Sequence, residues 1–476
     1  MKIPRMAQSG WTISNSGKFS DVDGIVELQN SVSVTEFPRL DKSIAIGLLA
    51  ALIFTVMAHG AVEPWSVALF ELIVLVLLVL WGIKCTLDRH VKITVPAAAL
   101  PIVALLLLGI FQSVAFMDGA GQRASLSLDV EATRHAVMIL GFQAISFIVA
   151  ANFLVTRERL SLLANVLTVF GATVAAFALI QYFTWDGRFY WLRSTDRSVF
   201  GPFVNHNHFA GYMVMVMCVP LGLILKAVRG HVRLVYGFAA ALMGTAAIVS
   251  GSRSGVMSIA GAMILMTVLK NRFRRSARMH DPFESRRYRL LRIGPIAIIT
   301  LAMIVGVGWT GATPIVERIG EAIDGLVRSG TADLSRAMIW RDTVPMIRDH
   351  PITGAGLGTY YTNYPTYANT QQLFGLDYAH NDYLQVVADC GAVGAIIAVW
   401  FIVLLFAAIY RAVQVRDPLL AGWALAAGGG IFAVAIQSVS DSDLQIPSNA
   451  LLFLILSAVV SSIGDKYVIA GGAADR

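Results

Sequence analysis

Apolar residues along the chain fall into runs of about 17–25 residues separated by short polar segments. Each run is long enough to cross a hydrocarbon core of ~30 Å as a helix. Runs such as 72–80 are apolar on every side, which favours helices over the alternating pattern of a membrane strand. The pattern predicts an all-α, polytopic membrane bundle of about twelve transmembrane helices. The predicted spans are 43–60, 66–83, 95–113, 134–153, 160–183, 208–228, 233–250, 254–269, 293–310, 385–409, 418–438 and 448–464.

These spans divide the chain into five predicted parts. A disordered cytoplasmic tail covers 1–42, spans one to nine cover 43–310, and a long, partly helical external loop covers 311–384. Spans ten to twelve cover 385–464, and a second cytoplasmic tail covers 465–476. The first tail lacks the charged, apolar and small-residue order of a cleaved signal peptide.

Composition excludes a soluble domain. The 476 residues are 56% hydrophobic and 14% charged, with a mean hydropathy of +0.67, which would leave large apolar patches exposed in water. The three cysteines, Cys85, Cys218 and Cys390, fall at different predicted depths. They therefore predict neither a disulfide framework nor a metal site of paired cysteines.

Charge predicts the orientation, because Lys and Arg in short loops collect on the cytoplasmic face. Most of the 37 basic residues lie in alternate loops, which places both termini in the cytoplasm. The opposite, external face then carries 184–207, 250–254, 311–384 and 439–447. The net charge of +7 is explained by the basic loop 270–292 at anionic headgroups, so no nucleic-acid partner is expected. In an inner-membrane protein of a Gram-negative cell this face would be the periplasm, where no ATP or nucleotide sugar is available, so a transfer reaction would need a donor activated beforehand, such as a lipid diphosphate.

Two arginines on the predicted external face fit such a donor. Arg253 lies in a minimal turn between two apolar helices, where a planar guanidinium can bind phosphate oxygens. The alternative is that Arg253 snorkels to lipid headgroups. Arg336 and Trp340 share one face of a predicted amphipathic helix, so Arg336 can point into a site while Trp340 packs on sugar or lipid. Alternatively, Arg336 is a surface residue that stabilises its helix.

His380 is the candidate general base, because a histidine with a pKa of ~6.5 can accept a hydroxyl proton at neutral pH. It is followed by Asn381 and Asp382, which could orient it. The alternative is that Asn381 or Asp382 caps the tenth span and His380 is an ordinary loop residue. The same choice applies to His208, since Asn205 stands where it could cap the sixth span.

A metal site is a further alternative at the same end. His206 and His208, together with Asp441 and Asp443, form a conceivable ligand set. No single segment contains an HxxxH pattern or a DxD with further ligands, so we expect no metal. The glycine run at 354–358 follows no predicted strand, which indicates a turn and no nucleotide fingerprint.

The polar motifs, taken in order, resemble the O-antigen ligase and polymerase family. The resemblance covers about residues 195 to 465 and is carried by the segments 200–212, 252–255, 336–358, 380–385 and 443–450. The chain departs from the family pattern at Asp389, two residues before Gly391, where the family more often has Glu. The role of this shorter carboxylate is left open.

The resemblance implies glycan transfer from undecaprenyl diphosphate to an acceptor hydroxyl, with inversion, in a fold related to the type C glycosyltransferases. Arg253 and Arg336 would bind the diphosphate and His380 would activate the acceptor, with no metal, nucleotide or other cofactor. The positions expected to support them are Asn205, His208, Asn381, Asp382 and Asp443. The expected setting is the bacterial inner membrane, with a glycan or lipid-linked glycan acceptor, membrane lipids, and polysaccharide export and chain-length proteins as partners.

Three functions stay open at this point. The ending at 443–447 resembles exopolysaccharide-associated members and favours a polymerase, whereas a ligase would join the glycan to the lipid A core. A transporter or lipid flippase is the third possibility, since such proteins use ionisable groups or broken helices near the midplane. Glu71 and the run Gly428–Gly430 are the features that would suit it.

Overall fold

Helices make up most of the computed structural model, which describes residues 38–88, 93–117, 123–194, 199–277, 331–368 and 376–474. The first eight helices are α1 (Pro38–Met57), α2 (Pro64–Leu87), α3 (Ala99–Gln112), α4 (Val130–Phe153), α5 (Arg157–Phe183), α6 (His206–Lys226), α7 (Gly230–Val249) and α8 (Arg253–Ala277). The next five are α9 (Thr331–Asp349), α10 (Tyr360–Tyr367), α11 (Asp382–Ala412), α12 (Pro418–Gln437) and α13 (Pro447–Ala474). A 3₁₀ turn covers Asp443–Gln445.

Two short antiparallel hairpins connect helices. Strand β1 (Phe116–Met117) pairs with β2 (Arg123–Ala124) between α3 and α4. Strand β3 (Arg188–Phe189) pairs with β4 (Arg193–Ser194) between α5 and α6.

Ten of the described helices are long and apolar enough to cross a membrane. Helix α3 is apolar but has only 14 residues. These eleven helices coincide with eleven of the predicted spans, and the other predicted span, 293–310, lies outside the described residues. The prediction of a polytopic helical membrane protein is confirmed. The five-part division stays a prediction, and α1 begins at Pro38, inside the predicted tail.

The centre of the bundle is α6, which is buried along almost its whole length. Helix α12 crosses it at backbone contact distance, because a Cβ on Gly222 of α6 would lie 2.6 Å from the backbone nitrogen of Ala426. Close approach through small residues is the usual way in which membrane helices gain packing contacts. The glycine run of α12 belongs to the same packing, since Gly430 faces the Met215 backbone and α12 continues through it without a break.

Ion pairs join helix ends at one end of the bundle. Asp41 in the first turn of α1 lies 3.4 Å from Lys84 near the end of α2 and 3.3 Å from Arg159 at the start of α5. Arg411 at the end of α11 lies 2.9 Å from Asp465 in α13. All of these residues lie in segments that the sequence assigns to one face. We call this the ion-pair end.

Helix α11 is broken at Gly391, where φ is 61° and ψ is −157°. Residues 351–358, which we call the insert, pack into this break. They form four backbone hydrogen bonds with the α11 residues on either side of it. The amides of Ala392 and Val393 donate to the carbonyls of Pro351 and Ile352, and the carbonyls of Ala388 and Asp389 accept from Ala355 and Gly356. An intact helix would bond these same four α11 groups to each other, so the insert replaces two helical hydrogen bonds with four.

Candidate active site

A buried carboxylate collects three of the polar motifs at the other end of the bundle. Asp441 follows α12 and is fully buried. Its Oδ1 lies 3.3 Å from Nδ1 of His380 and 3.5 Å from Nε2 of His208. Its Oδ2 lies 3.8 Å from a terminal guanidinium nitrogen of Arg336. We call Asp441, His208, Arg336 and His380 the carboxylate cluster, and the end that carries it the site end.

The surroundings of Asp441 favour its ionised form. Burial works to raise the pKa of this carboxyl, but the neighbouring imidazoles of His208 and His380 favour its charged form, and together they hold its pKa below the usual range. The contact with His380 is a hydrogen bond, whereas the 3.5 Å separation from His208 is an electrostatic contact. The cluster therefore contains a fixed negative charge between groups that are or can become cationic.

Asp443 is two residues away and has the opposite preference. Its carboxyl is fully buried against Gly211 of α6, where a Cβ would lie 2.4 Å from Oδ2. Burial, and then the charges of Asp441 and Asp382, raise the pKa of Asp443 well above its usual range. Two adjacent carboxyls are thus driven towards different protonation states.

Asn381 and Asp382 connect helix α11 to this cluster. The Asn381 side chain accepts a hydrogen bond of 3.0 Å from the amide of Leu384, so it caps α11. The buried Asp382 carboxylate accepts from the Ser438 hydroxyl at 2.7 Å and from the Leu444 amide at 3.3 Å. Capping by Asn381 is therefore correct, and Asp382 fastens the start of α11 to the loop that contains Asp441.

His208 is also fixed through its backbone. Asn205 caps α6 by accepting from the amide of Asn207 at 2.9 Å. The carbonyl of His208 accepts from the Asn449 side chain at 3.0 Å. These contacts hold the first turn of α6, and with it the His208 backbone, against the start of α13.

Arg253 lies at the same end on a neighbouring helix. It is exposed and is the first residue of α8, after a turn in which the Ser252 hydroxyl accepts from the Gly255 amide at 3.1 Å. A Cβ on Gly255 would lie 2.8 Å from that of Ala210, two residues past His208. The predicted diphosphate ligands Arg253 and Arg336 therefore both belong to the site end.

Trp340 is half-buried, and its Nε1 donates to the carbonyl of Ala379 at 3.0 Å. Packing of this indole on sugar or lipid stays a prediction. Asp441 entered the sequence interpretation only as a conceivable metal ligand. The Asp-Ser-Asp triplet at a span end was its only signal, since nothing local indicates that its partners are His208, Arg336 and His380.

The described residues contain no group of three or more His, Cys, Asp and Glu side chains arranged to hold a metal ion. His208 and Asp441, two of the conceivable ligands, face each other, and the guanidinium of Arg336 approaches the other carboxylate oxygen. A positive side chain at that oxygen opposes a bound cation.

The helices and this cluster define the class: a polytopic α-helical membrane protein with histidine, carboxylate and arginine side chains gathered at one end of its bundle. The O-antigen ligase family model matches residues 238–399, from within α7 to within α11. This match supports an O-antigen ligase family assignment for the chain. The matched range includes Arg253, Arg336 and His380, whereas His208 and Asp441 lie on either side of it. No curated protein matched the chain.

Proposed function

We propose that this protein is a membrane glycosyltransferase that moves a glycan from undecaprenyl diphosphate to an acceptor hydroxyl at the site end, with His380 as general base. The observation that carries the proposal is the hydrogen bond between Nδ1 of His380 and the buried Asp441 carboxylate. A carboxylate bound to one imidazole nitrogen fixes the ring and leaves the other nitrogen for chemistry.

The proton balance of this reaction follows from that tautomer. Nδ1 of His380 carries a proton and donates a hydrogen bond to Asp441, so Nε2 is unprotonated. Nε2 therefore takes the proton of the acceptor hydroxyl. The acceptor oxygen forms a bond to the anomeric carbon as the bond from that carbon to the diphosphate oxygen breaks. The new imidazolium is stabilised by the ionised Asp441 beside it. Attack opposite the leaving group inverts the configuration at the anomeric carbon.

The leaving diphosphate needs positive charge, which we assign to Arg336 and Arg253. The Arg336 side chain is 27% exposed, so its contact with Asp441 leaves guanidinium N–H groups for a ligand. Arg253 is exposed at the start of α8. Planar guanidinium groups bind phosphate oxygens in pairs and stabilise developing negative charge, so in this proposal arginines take the part that a metal ion plays in other transferases.

The proposed location is the bacterial inner membrane, with both termini cytoplasmic and the site end facing the periplasm. The basic residues of the ion-pair end support it, since Lys84, Arg157, Arg159 and Arg411 all lie there. Basic residues in short loops favour the cytoplasmic face.

Between the two transfer reactions, we place polymerisation of lipid-linked repeats first. The segment 443–447, which resembles exopolysaccharide-associated members, supports a polymerase, and its Asp443 packs directly against α6. Ligation to a lipid A core glycan is the second candidate, because the family whose model matches is described as O-antigen ligase. Export and chain-length proteins would then be partners of the polymerase only.

Deletion of the gene, followed by profiling of surface glycans and lipid-linked intermediates, separates these functions. A lost polymerase leaves single repeats in place of long chains, whereas a lost ligase leaves full-length glycan on the lipid carrier. Loss of a transporter instead leaves unpolymerised repeats on the cytoplasmic side. Complementation with His380→Gln should reproduce the deletion, while His135→Gln, an exposed histidine of α4, should restore the wild-type profile. Full complementation by His380→Gln would refute the proposal.

A further inference from the structure

His380 has a backbone conformation that its own side chain disfavours. Its φ is 49°, in the left-handed region that residues with a Cβ rarely adopt. Such a conformation persists only where surrounding contacts impose it, and it is common at functional sites. The contacts that impose it here determine where the imidazole points.

Both polar groups of the preceding residue, Ala379, are held by side chains. Its amide donates to Oε1 of Gln385 at 2.8 Å, and its carbonyl accepts from Nε1 of Trp340 at 3.0 Å. Ala379 is fully buried. Gln385 belongs to α11 and Trp340 to α9, so side chains of two helices hydrogen-bond the backbone groups that precede His380.

Gln385 is oriented by a second carboxylate. Its Nε2 donates at 3.2 Å to Oδ2 of Asp389, one turn further along α11, and the same Oδ2 accepts from the amide of Gly358 at 3.2 Å. The Ala379 N–H can only donate, so it faces Oε1 of Gln385 and leaves the Gln385 NH2 group to face Asp389. Turning the side chain over would set two N–H donors against each other.

The insert anchors this arrangement on its far side. The carbonyl of Asp389 accepts from Gln112 of α3 at 2.9 Å, and Gln112 also binds Thr353 and Leu357 of the insert, at 2.6 Å and 3.0 Å. The hydrogen bonds therefore run without interruption from α3 and the insert, through Asp389 and Gln385, to the peptide before His380.

We infer that Gln385 and Trp340 are positioning residues for His380, and that Asp389 acts by orienting Gln385. This inference rests on the proposed role of His380 and gives the open position 389 a function. The two side chains fix the Ala379 peptide, the peptide forces the left-handed turn, and the turn directs Nδ1 at Asp441. None of the three need touch a substrate.

A reciprocal exchange of side-chain chemistry tests this arrangement. Gln385→Glu alone sets two carboxylates against each other, so we expect at least a ~10-fold lower transfer rate with the donor KM changed less than about twofold. Adding Asp389→Asn restores the bond between the two side chains, because the carboxylate at 385 accepts from the Ala379 amide and from the NH2 group at 389; only the bond from Gly358 to the Oδ2 position is given up. The double variant should recover to within about threefold of wild type.

Trp340→Phe provides an independent arm, since it keeps a ring and removes only the N–H donor. It should lower the rate about as much as Gln385→Glu. Initial rates are measured in membranes of the deletion strain, which retain the lipid-linked glycan as substrate, for full-length variants matched for folded protein by size-exclusion chromatography. A simple packing role for these residues predicts no rescue by the double variant.

A second measurement keeps this inference separate from the proposed function. Diethyl pyrocarbonate modifies accessible imidazoles, and mass spectrometry reports the rate at His380 without any substrate. Both single variants should change that rate, and the exchange should return it to the wild-type value. If the modification rate of His380 is unchanged in both single variants, the positioning role is overturned even if His380 is essential. If the rate changes and is restored as expected but the wild-type protein transfers no glycan, only the proposed function is overturned.

Discussion

Alanine at Gly391 should release the insert from helix α11. The break lies nine residues after Asp382, ~14 Å along the helix axis. A Cβ at Gly391 would lie 2.4 Å from the carbonyl oxygen of Ile352 and 2.6 Å from the amide nitrogen of Gly354. Both neighbours are backbone atoms, so no change of rotamer relieves the overlap. The φ of 61° is a further strain for alanine.

The magnitude follows from the hydrogen bonds that change. If the insert withdraws, four backbone bonds across the break are lost and two re-form inside a straight helix, for a net loss of two. Four further bonds of the insert are lost as well: those of Gln112 to Thr353 and Leu357, that of the Leu128 amide to the Ala355 carbonyl, and that of the Gly358 amide to Asp389. At about 1 kcal/mol for each of the six net bonds, the variant should be less stable by about 6 kcal/mol.

The matched control is Gly82→Ala, the same substitution in helix α2. A Cβ there meets nothing within 4 Å, so this variant should be unchanged or more stable by up to about 1 kcal/mol. Both full-length proteins are unfolded side by side in one detergent, and the free energies of unfolding are compared with wild type.

Cysteine labelling reports where the structure opens. Cys390 is adjacent to the break and only 1% exposed, and Cys218 in α6 is fully buried. A water-soluble maleimide should label Cys390 faster in Gly391→Ala than in wild type, while Cys218 stays protected as the internal reference. Equal stability of the two glycine variants, together with unchanged protection of Cys390, would show that the insert does not depend on the break.

Three further outcomes are expected around the carboxylate cluster. Asp441→Asn should lower the transfer rate at least ~100-fold at unchanged protein level, because the charge that stabilises the His380 imidazolium is lost; a rate within twofold of wild type would contradict this. Arg336→Lys should weaken binding of the lipid-diphosphate donor, since an ammonium lacks the paired N–H groups, and a donor titration checks it. Asp443→Asn concerns stability. The folded state holds the Asp443 proton more tightly than the unfolded chain does, so wild-type stability falls as pH rises from about 4 towards the raised folded pKa. The variant lacks this loss, so it should be more stable than wild type at about pH 8 but not at about pH 4. The free energies of unfolding at both values check this.

The structure bears directly on transport as an alternative function. The glycine run of α12, the weak point that the sequence offered, lies in an unbroken helix, where Gly428 packs against Ile409 and Gly429 against Met266. The break occurs instead at Gly391, and the backbone groups on both sides of it bond to the insert. Transporters use such freed groups for substrate or coupling ions, so a break filled by the protein's own chain favours an enzyme.

The sequence alone determined the helices and the end of the bundle at which chemistry is expected. Hydropathy acts locally, since each apolar run must cover its own backbone in lipid, and it fixed the spans that correspond to α1 to α8 and α11 to α13 within the described residues. The polar motifs at the span ends, together with the resemblance they carry, pointed to Arg336, His208 and His380, and the structure brings these three to one carboxylate.

Only the tertiary structure decided which partners these residues have. Asp441 binds side chains that are 61, 105 and 233 positions away in sequence, and such pairings leave no periodic signal. The break at Gly391 was equally hidden, because it is stabilised by backbone groups of a distant segment while hydropathy reads side chains only. The same holds for Trp340: its helix face was predictable from the sequence, but the carbonyl of Ala379 that its indole binds was not.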